Sequence, residues 1–184
     1  MRYKLDSYYT HQKLVEQLLV KYPINNRLLL EPCTGTNHIT TYLKEVGYSV
    51  ITNDIDKNMK ADFNYDATLP ILWNTIDLIK QYTVITNPPF NVATKILEQA
   101  LSNVDEVCML LRLSFLEPTA DRKELMNRYK DNLVKVIVIN PRPQFRSDSK
   151  STDSVTVAWF IWNKKFSWNK LNIAYPFDFI NDWK

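Results

Sequence analysis

Apolar residues recur along this chain at two spacings, and their alternation predicts most of its elements. Between Tyr8 and Tyr22, Leu14, Val15, Leu18 and Leu19 fall on one face of a 3.6-residue repeat, which predicts a helix. Pro23 and the pair Asn25-Asn26 stop it. Arg27–Glu31 is a short apolar run between turn signals and predicts a buried strand. Ile39–Val46 returns to helical spacing, and Gly47 sits where a C-terminal cap belongs. The same reading gives strands over Tyr48–Asn53, Gln81–Thr86 and Asp105–Leu113, and helices over Leu72–Lys80, Ala93–Ser102 and Asp121–Tyr129. Leu133–Asn140 and Ser154–Trp162 are two β-branched runs with no helix between them.

Strands alternating with helices predict an α/β fold with a largely parallel sheet. The last two runs predict an antiparallel hairpin at one edge. In such sheets ligands sit beyond the carboxyl ends of the strands, so the loops that follow strands are where chemistry is expected.

Composition narrows the class. A chain of 184 residues predicts one domain. Its 45% hydrophobic content excludes wholesale disorder. No run approaches the roughly 18 apolar residues of a membrane helix. The N-terminal MRYKLDSYYT has no apolar stretch of the kind a signal peptide carries. Cys33 and Cys108 are too few for a disulfide scaffold or a cysteine-based zinc site. A cytoplasmic protein with no metal is therefore the expectation. The formal charge of +3 argues only weakly for an anionic partner. With only two glycines in the chain, any glycine at a tight functional turn is Gly35 or Gly47.

The first strand runs into Glu31-Pro32-Cys33-Thr34-Gly35-Thr36-Asn37-His38-Ile39. A strand, a glycine turn and a helix N-terminus together hold nucleotide-type cofactors, because backbone N–H groups face the ligand and no Cβ blocks it. A plain strand-to-helix turn has the same appearance. The second strand ends at Asn53-Asp54-Ile55-Asp56. Asp54, about twenty residues beyond Gly35, is spaced to accept hydrogen bonds from ribose hydroxyls. Asp56 shares that role or is a solvated loop acid. In Ala61–Thr68, Asp66 is placed to bind the exocyclic amine of a cofactor adenine, whereas Asp62 reads as a surface acid.

Gln81–Thr86 ends in Asn87-Pro88-Pro89-Phe90, the sharpest signal in the chain. Two prolines fix φ and remove two N–H donors. Asn87 offers a side-chain acceptor and Phe90 a flat apolar face. Together they can hold a planar group by its NH2.

At these residues the sequence resembles the N6-adenine DNA methyltransferases that use S-adenosylmethionine. Asn87–Phe90 satisfies the family's fourth motif, Asn/Asp/Ser-Pro-Pro followed by an aromatic. Glu31–Ile39 follows its first motif, Glu-Pro-Cys-Ala-Gly-x-Gly-x-Ile, with Thr34 for the alanine and Asn37 for the second glycine. Asn is the non-glycine residue most at ease with φ > 0. Asp54 matches the ribose-binding acid and Asp66 the adenine-binding acid, with Ile55 and Ala67 beside them. Tyr8-Tyr9-Thr10 resembles the motif that lines the methionine end of the cofactor. Leu111–Pro118, which contains Ser114, and Asp153–Phe160 look like small phage and bacterial members.

The resemblance spans roughly residues 5 to 163, in the γ-type motif order. It implies a Rossmann-like, mostly parallel seven-stranded sheet, S-adenosylmethionine as cofactor and DNA as partner. About twenty residues follow Trp162, too few for the target recognition domain that order normally adds. A catalytic domain alone is expected, with a homodimer or a recognition subunit left open.

The chemistry needs these residues. Adenine N6 is a poor nucleophile because its lone pair is delocalised into the ring. Asn87 Oδ1 and the Pro88 carbonyl can bind both amino hydrogens and localise that lone pair, with no covalent intermediate and no metal. The base must be flipped or single-stranded, with Phe90 stacked on it. Phe145, in Pro141–Arg146, is the candidate second wall, where the family often places an aromatic. Arg142, Arg146 and Lys150 are candidates for phosphates, with Arg112 and Lys95 further basic candidates and Ser114 on the substrate side.

The tail Asn163–Lys184 interleaves Phe166, Trp168, Tyr175, Phe177, Phe179 and Trp183 with lysines; packing on its own domain or a twin subunit is favoured over reading single strands. His11 and His38 invite a catalytic reading, but their spacing in the sequence supports neither a catalytic nor a metal-binding role. Two other classes stay open: a methyltransferase acting on an RNA base or a protein glutamine amide, and a non-catalytic nucleic-acid-binding subunit, which Asn37 would favour.

Overall fold

The computed structural model describes residues 10–76, 81–117, 119–143 and 155–171. Six strands form one sheet: β1 (Leu28–Glu31), β2 (Ser49–Thr52), β3 (Thr83–Thr86), β4 (Glu106–Arg112), β5 (Leu133–Val138) and β6 (Val157–Asn163), in the order β2-β1-β3-β4-β6-β5. Neighbours from β2 to β4 are parallel. β6 runs antiparallel between β4 and β5, so the expected hairpin forms the edge with β5 outermost.

Helices cover both faces. On one, α1 (Gln12–Lys21) and α2 (His38–Glu45) bring Val15, Leu18, Ile39 and Leu43 against Leu29, Ile85, Leu110 and Trp159. On the other, α3 (Pro70–Ile76), α4 (Ala93–Asn103) and α5 (Ala120–Tyr129) bring Trp73, Leu97, Leu101 and Leu125 against Val84, Met109, Phe160 and Trp162. A sheet covered on both faces requires strands apolar at every position. β3 is buried throughout, and β6 at all positions but its last.

Seven strands were expected and the described residues contain six. The seventh position, beside β2, holds a single parallel bridge, Asn53 with Phe63. Phe63 donates to the Thr52 carbonyl at 3.1 Å and accepts from the Asp54 N–H at 3.1 Å. The flanking Asp62, Asn64 and Asp66 spend their side chains on loop hydrogen bonds, which compete with a ladder.

Several bounds shift for local reasons. α1 begins at Gln12 because Thr10 is buried and His11 is extended as the N-cap, its Nδ1 accepting from Lys13 N at 3.2 Å. Tyr8 and Tyr9 lie outside the described residues. α3 begins two residues early, at Pro70, where the missing proline N–H costs nothing. Gly47 caps α2 at φ 93°, its N–H donating to Lys44 O. After β5 the Asn140–Pro141 peptide is cis. α6 (Trp168–Leu171) folds back: Trp168 Nε1 donates to Leu133 O at 2.9 Å, and Asn132 Nδ2 to Phe166 O at 2.8 Å. Phe166 and Trp168 thus pack on their own domain, while 172–184 lie outside the described residues. None of the described helices is long and apolar enough to cross a membrane.

Candidate active site

The carboxyl ends of β1, β2 and β3 lie side by side, and the three loops that leave them are tied into one surface. From β1 the chain turns through Gly35, at φ 50°, and Asn37, at φ 65° and ψ 20°, before entering α2. A Cβ on Gly35 would meet nothing within 4 Å. This residue is therefore not glycine for want of room inside the fold; its backbone conformation and the open space before it call for one. Asn37 takes the left-handed conformation and holds it with its side chain. Its Oδ1 accepts from Thr34 Oγ1 at 2.8 Å, and its Nδ2 donates to Lys60 O at 3.0 Å.

Asp54, buried, follows β2 by two residues. Its Oδ2 accepts from Gly35 N at 2.8 Å and its Oδ1 from Asp56 N at 2.9 Å. Each oxygen keeps a second lone pair. Ile55, next in the chain, is 51% exposed. Buried Asn53 bolts the loops together, donating to Pro32 O at 2.9 Å and Tyr65 O at 3.0 Å and accepting from Tyr65 N at 2.9 Å. Asp66 Oδ1 accepts from Thr68 N at 2.9 Å and Thr68 Oγ1 at 2.7 Å. Its Oδ2 takes no hydrogen bond from a described residue. Ala67 is buried, and its carbonyl accepts from Trp73 Nε1 at 3.0 Å.

Cys33 sits among the acids of β1 and of the segment that follows β2. Burial and the charges of Asp54, Glu31 and Asp66 push its thiol well up, while the Thr86 hydroxyl works the other way. Glu31 is 1% exposed. Burial pushes its carboxyl up to about 8, against the hydrogen bonds it accepts from the hydroxyls of Thr40 and Thr34. Those two contacts tie the end of β1 to the turn and to the first residues of α2.

β3 delivers Asn87-Pro88-Pro89-Phe90. Asn87 Nδ2 donates to Thr10 Oγ1 at 3.0 Å, which turns Oδ1 the other way. That oxygen is buried and has no hydrogen-bond partner. Pro88 is buried, and Pro89 O accepts from Val92 N at 3.1 Å to begin the turn into α4. Phe90 is half-buried, with the Arg112 guanidinium 4.8 Å from its ring centroid.

The remaining candidates stand on other elements. Ser114 is exposed on the 3₁₀ turn Leu113–Leu116 and offers its carbonyl to Arg122 Nη1 at 2.6 Å. Lys95 is exposed on α4, and Arg142 is exposed beyond β5. Tyr9, Phe145, Arg146 and Lys150 lie outside the described residues. Among the described residues no group of three or more His, Cys, Asp or Glu is placed to hold a metal ion.

Sequence reasoning missed three contacts. Asp62 staples its loop to β2, its Oδ2 accepting from Thr52 N at 2.9 Å and Thr52 Oγ1 at 2.8 Å. Thr10 orients Asn87, and Arg112 covers Phe90. The first two link residues 10 and 77 positions apart, and no local pattern signals either. Arg112 was visible as a strand-end cation but not its stacking partner.

No protein-family model matches the sequence, and no curated protein is detectably similar to it. Solved structures are similar in fold. A candidate RNA methyltransferase from Pyrococcus horikoshii superposes with a TM-score of 0.59 at 17% identity, over 87% of this chain and 88% of that one. The methyltransferase subunit of a type I restriction-modification system from Streptococcus thermophilus gives 0.63 at 12%, over 86% of this chain and 45% of that one. Magnesium protoporphyrin IX methyltransferase from Synechocystis, solved with S-adenosylmethionine bound, gives 0.55 at 14%, over 83% and 76%. The fold is the Rossmann-like fold that these methyltransferases share. The chain spans less than half of the type I subunit, and nearly all of the archaeal protein.

Proposed function

We propose that this chain, as a single catalytic domain, transfers a methyl group from S-adenosylmethionine to the N6 amino group of adenine in DNA, the base being flipped out or already single-stranded. The observation that carries the reading is the side-chain oxygen of Asn87, buried and without a partner at the end of β3. Leaving such an acceptor unsatisfied costs about 1–3 kcal/mol and is uncommon in native structures. An amine on a ligand supplies the missing donor.

The residues present fit the cofactor. Gly35 opens a Cβ-free approach at the end of β1, Asp54 retains acceptor capacity for ribose hydroxyls, and Ile55 offers exposed apolar surface beside it. When bound, S-adenosylmethionine supplies a methyl group on a positively charged sulfonium. The chain positions what receives it. Asn87 Oδ1 and the Pro88 carbonyl accept the two amino hydrogens, drawing N6 toward sp3 geometry and localising its lone pair. With its Nδ2 on Thr10 Oγ1, the amide presents its oxygen, not its NH2, to the amine. Phe90 stacks on the base, a contact worth about 1–3 kcal/mol by analogy with single-strand binders. Catalysis is positioning and electrostatics.

The test is single-turnover methylation of an adenine-containing oligonucleotide by Asn87→Ala. The rate should fall about 10²–10³-fold, the usual cost of removing one preorganised hydrogen-bonding group, with cofactor affinity within about threefold of the parent. A near-parental rate overturns the mechanism. The near-full-length similarity to a protein described as a candidate RNA methyltransferase makes an RNA adenine the second reading. The same assay on RNA decides between them.

A further inference from the structure

β4 ends on Arg112, and the place where it ends is telling. β3 and β4 are parallel, with Thr86 paired to Met109. Three residues on, the two strands reach Pro89 and Arg112, so the arginine rises beside the Asn87–Phe90 turn. On its other side β6 pairs Val157 with it. The guanidinium carbon lies over Phe90, 4.8 Å from the ring centroid. That contact takes up none of the five N–H donors of the guanidinium. One of them, Nε, is buried with no acceptor. The side chain is half-buried, yet no carboxylate among the described residues pairs with it. Arg122 shows the contrast: it too lies over an aromatic ring, that of Phe115, but two of its donors, Nε among them, are used on Thr119 Oγ1 and Ser114 O.

We infer that Arg112 is an anion-binding residue, and that its ligand is a phosphodiester flanking the target base. The identity of the anion rests on the nucleic-acid reading given above. The sheet order excludes the cofactor side: the loops holding Gly35, Asp54 and Asp66 leave β1 and β2, and β3 stands between those strands and β4. An anion at Arg112 therefore belongs to the substrate. A planar fork anchored over a ring matches two phosphate oxygens. In this arrangement one aromatic side chain serves two ends of the nucleotide, stacking on the base and aligning the arginine for the backbone.

The experiment measures binding of a single-stranded DNA oligomer with one abasic position, across a potassium chloride series, for the parent, Arg112→Gln and Arg112→Lys. The missing base makes the readout independent of which base is methylated. The slope of log affinity against log salt should shrink by about 0.7 in Arg112→Gln, the share of one phosphate on a single strand. Arg112→Lys, which keeps the charge but not the fork, should restore the slope at several-fold lower affinity. Replacing the flanking phosphate by a neutral methylphosphonate should weaken the parent about tenfold and leave Arg112→Gln unchanged. Equal slopes and equal methylphosphonate losses in the parent and Arg112→Gln overturn the proposal, as does a parent that binds no oligomer. If the parent shows the Arg112-dependent slope but methylates no adenine, the anion site stands and the adenine reading falls. If it methylates adenine with no such slope, the reverse holds.

Discussion

The backbone N–H of Gly35 donates to the carboxylate of Asp54 at 2.8 Å, across 19 residues of sequence. One hydrogen bond thus fixes the glycine turn after β1 to the acid after β2, and the acid becomes part of the frame it is proposed to work from. A carboxylate held by two backbone N–H groups cannot swing away, so its remaining lone pairs have fixed directions.

Asp54→Ala should therefore weaken S-adenosylmethionine in two ways, by removing the ribose acceptor and by releasing the Gly35 turn. Hydrogen bonds to a charged group contribute about 1.5–3 kcal/mol each, so calorimetric titration should show a loss of tenfold or more. Asp54→Asn keeps the shape with weaker acceptors and should fall between the two. Parental affinity in Asp54→Ala would remove the ribose assignment.

Gly35→Ala separates stability from binding. The new Cβ meets no atom of the fold, so the folded state bears only the left-handed backbone cost of roughly 1–2 kcal/mol. Cofactor affinity should drop by more than that, because the methyl projects into the approach. Thermal melting with and without cofactor gives both numbers. A variant that binds as well as it folds would show that the cofactor lies elsewhere.

At Asn37 the expected order of stability is parent, Asn37→Gly, Asn37→Ala. Glycine relieves the φ of 65° but forfeits the bonds to Thr34 and Lys60. Alanine forfeits them and keeps the strain, and should lose about 1–3 kcal/mol. Urea denaturation reads the order directly.

Glu31 gives the fold a pH dependence. Its carboxyl is raised from 4.5 to about 8 by burial. Below the unfolded value it is protonated in both states, and its contribution to stability is fully present. As pH rises the unfolded chain releases its proton first, and stability is lost progressively up to about pH 8. Glu31→Gln, which still accepts from Thr40, should flatten the stability profile across that window by a few kcal/mol on the order-of-magnitude scale of pKa linkage. A profile unchanged from the parent would mean the carboxyl ionises normally.

Phe90 and Asn87 should fail differently. Phe90→Ala removes a stacking face and should slow methylation about tenfold, through weaker retention of the base. Phe90→Trp should remain active, since any flat ring stacks. Asn87→Ala should be far slower than either. A Phe90→Ala defect as deep as that of Asn87→Ala would contradict the division of roles.

The site was legible where one short segment carries its own chemistry. Asn87–Phe90 needs no partner to announce a rigid bend with an acceptor and a ring, and Gly35 stands out in a chain almost without glycine. A strand end singles out Asp54, because parallel sheets place loops of successive strands together, whereas Asp66 comes only from the polar run Ala61–Thr68. What escaped the sequence depends on neighbours that only the folded sheet supplies: Thr10 against Asn87, Arg112 over Phe90, Asp62 on Thr52. The missing seventh strand has the same origin, since Ala61–Thr68 carries enough hydrogen-bonding side chains to prefer turns, and only the edge of β2 shows how little of a strand remains.

The position of β6 has a consequence for how the molecule is made. β5 touches the sheet only through β6, and β6 fills the gap beside β4. On a ribosome the first four strands emerge in an order that lets them assemble, but β4 then waits with an open flank until the stretch Val157–Asn163 arrives. The nascent chain must carry that unpaired apolar edge for some forty residues of synthesis, the interval in which such edges recruit the wrong strand. Destabilising changes in β6 should accordingly reduce the yield of native protein more than equal changes in β2, whose partner is in place from the outset.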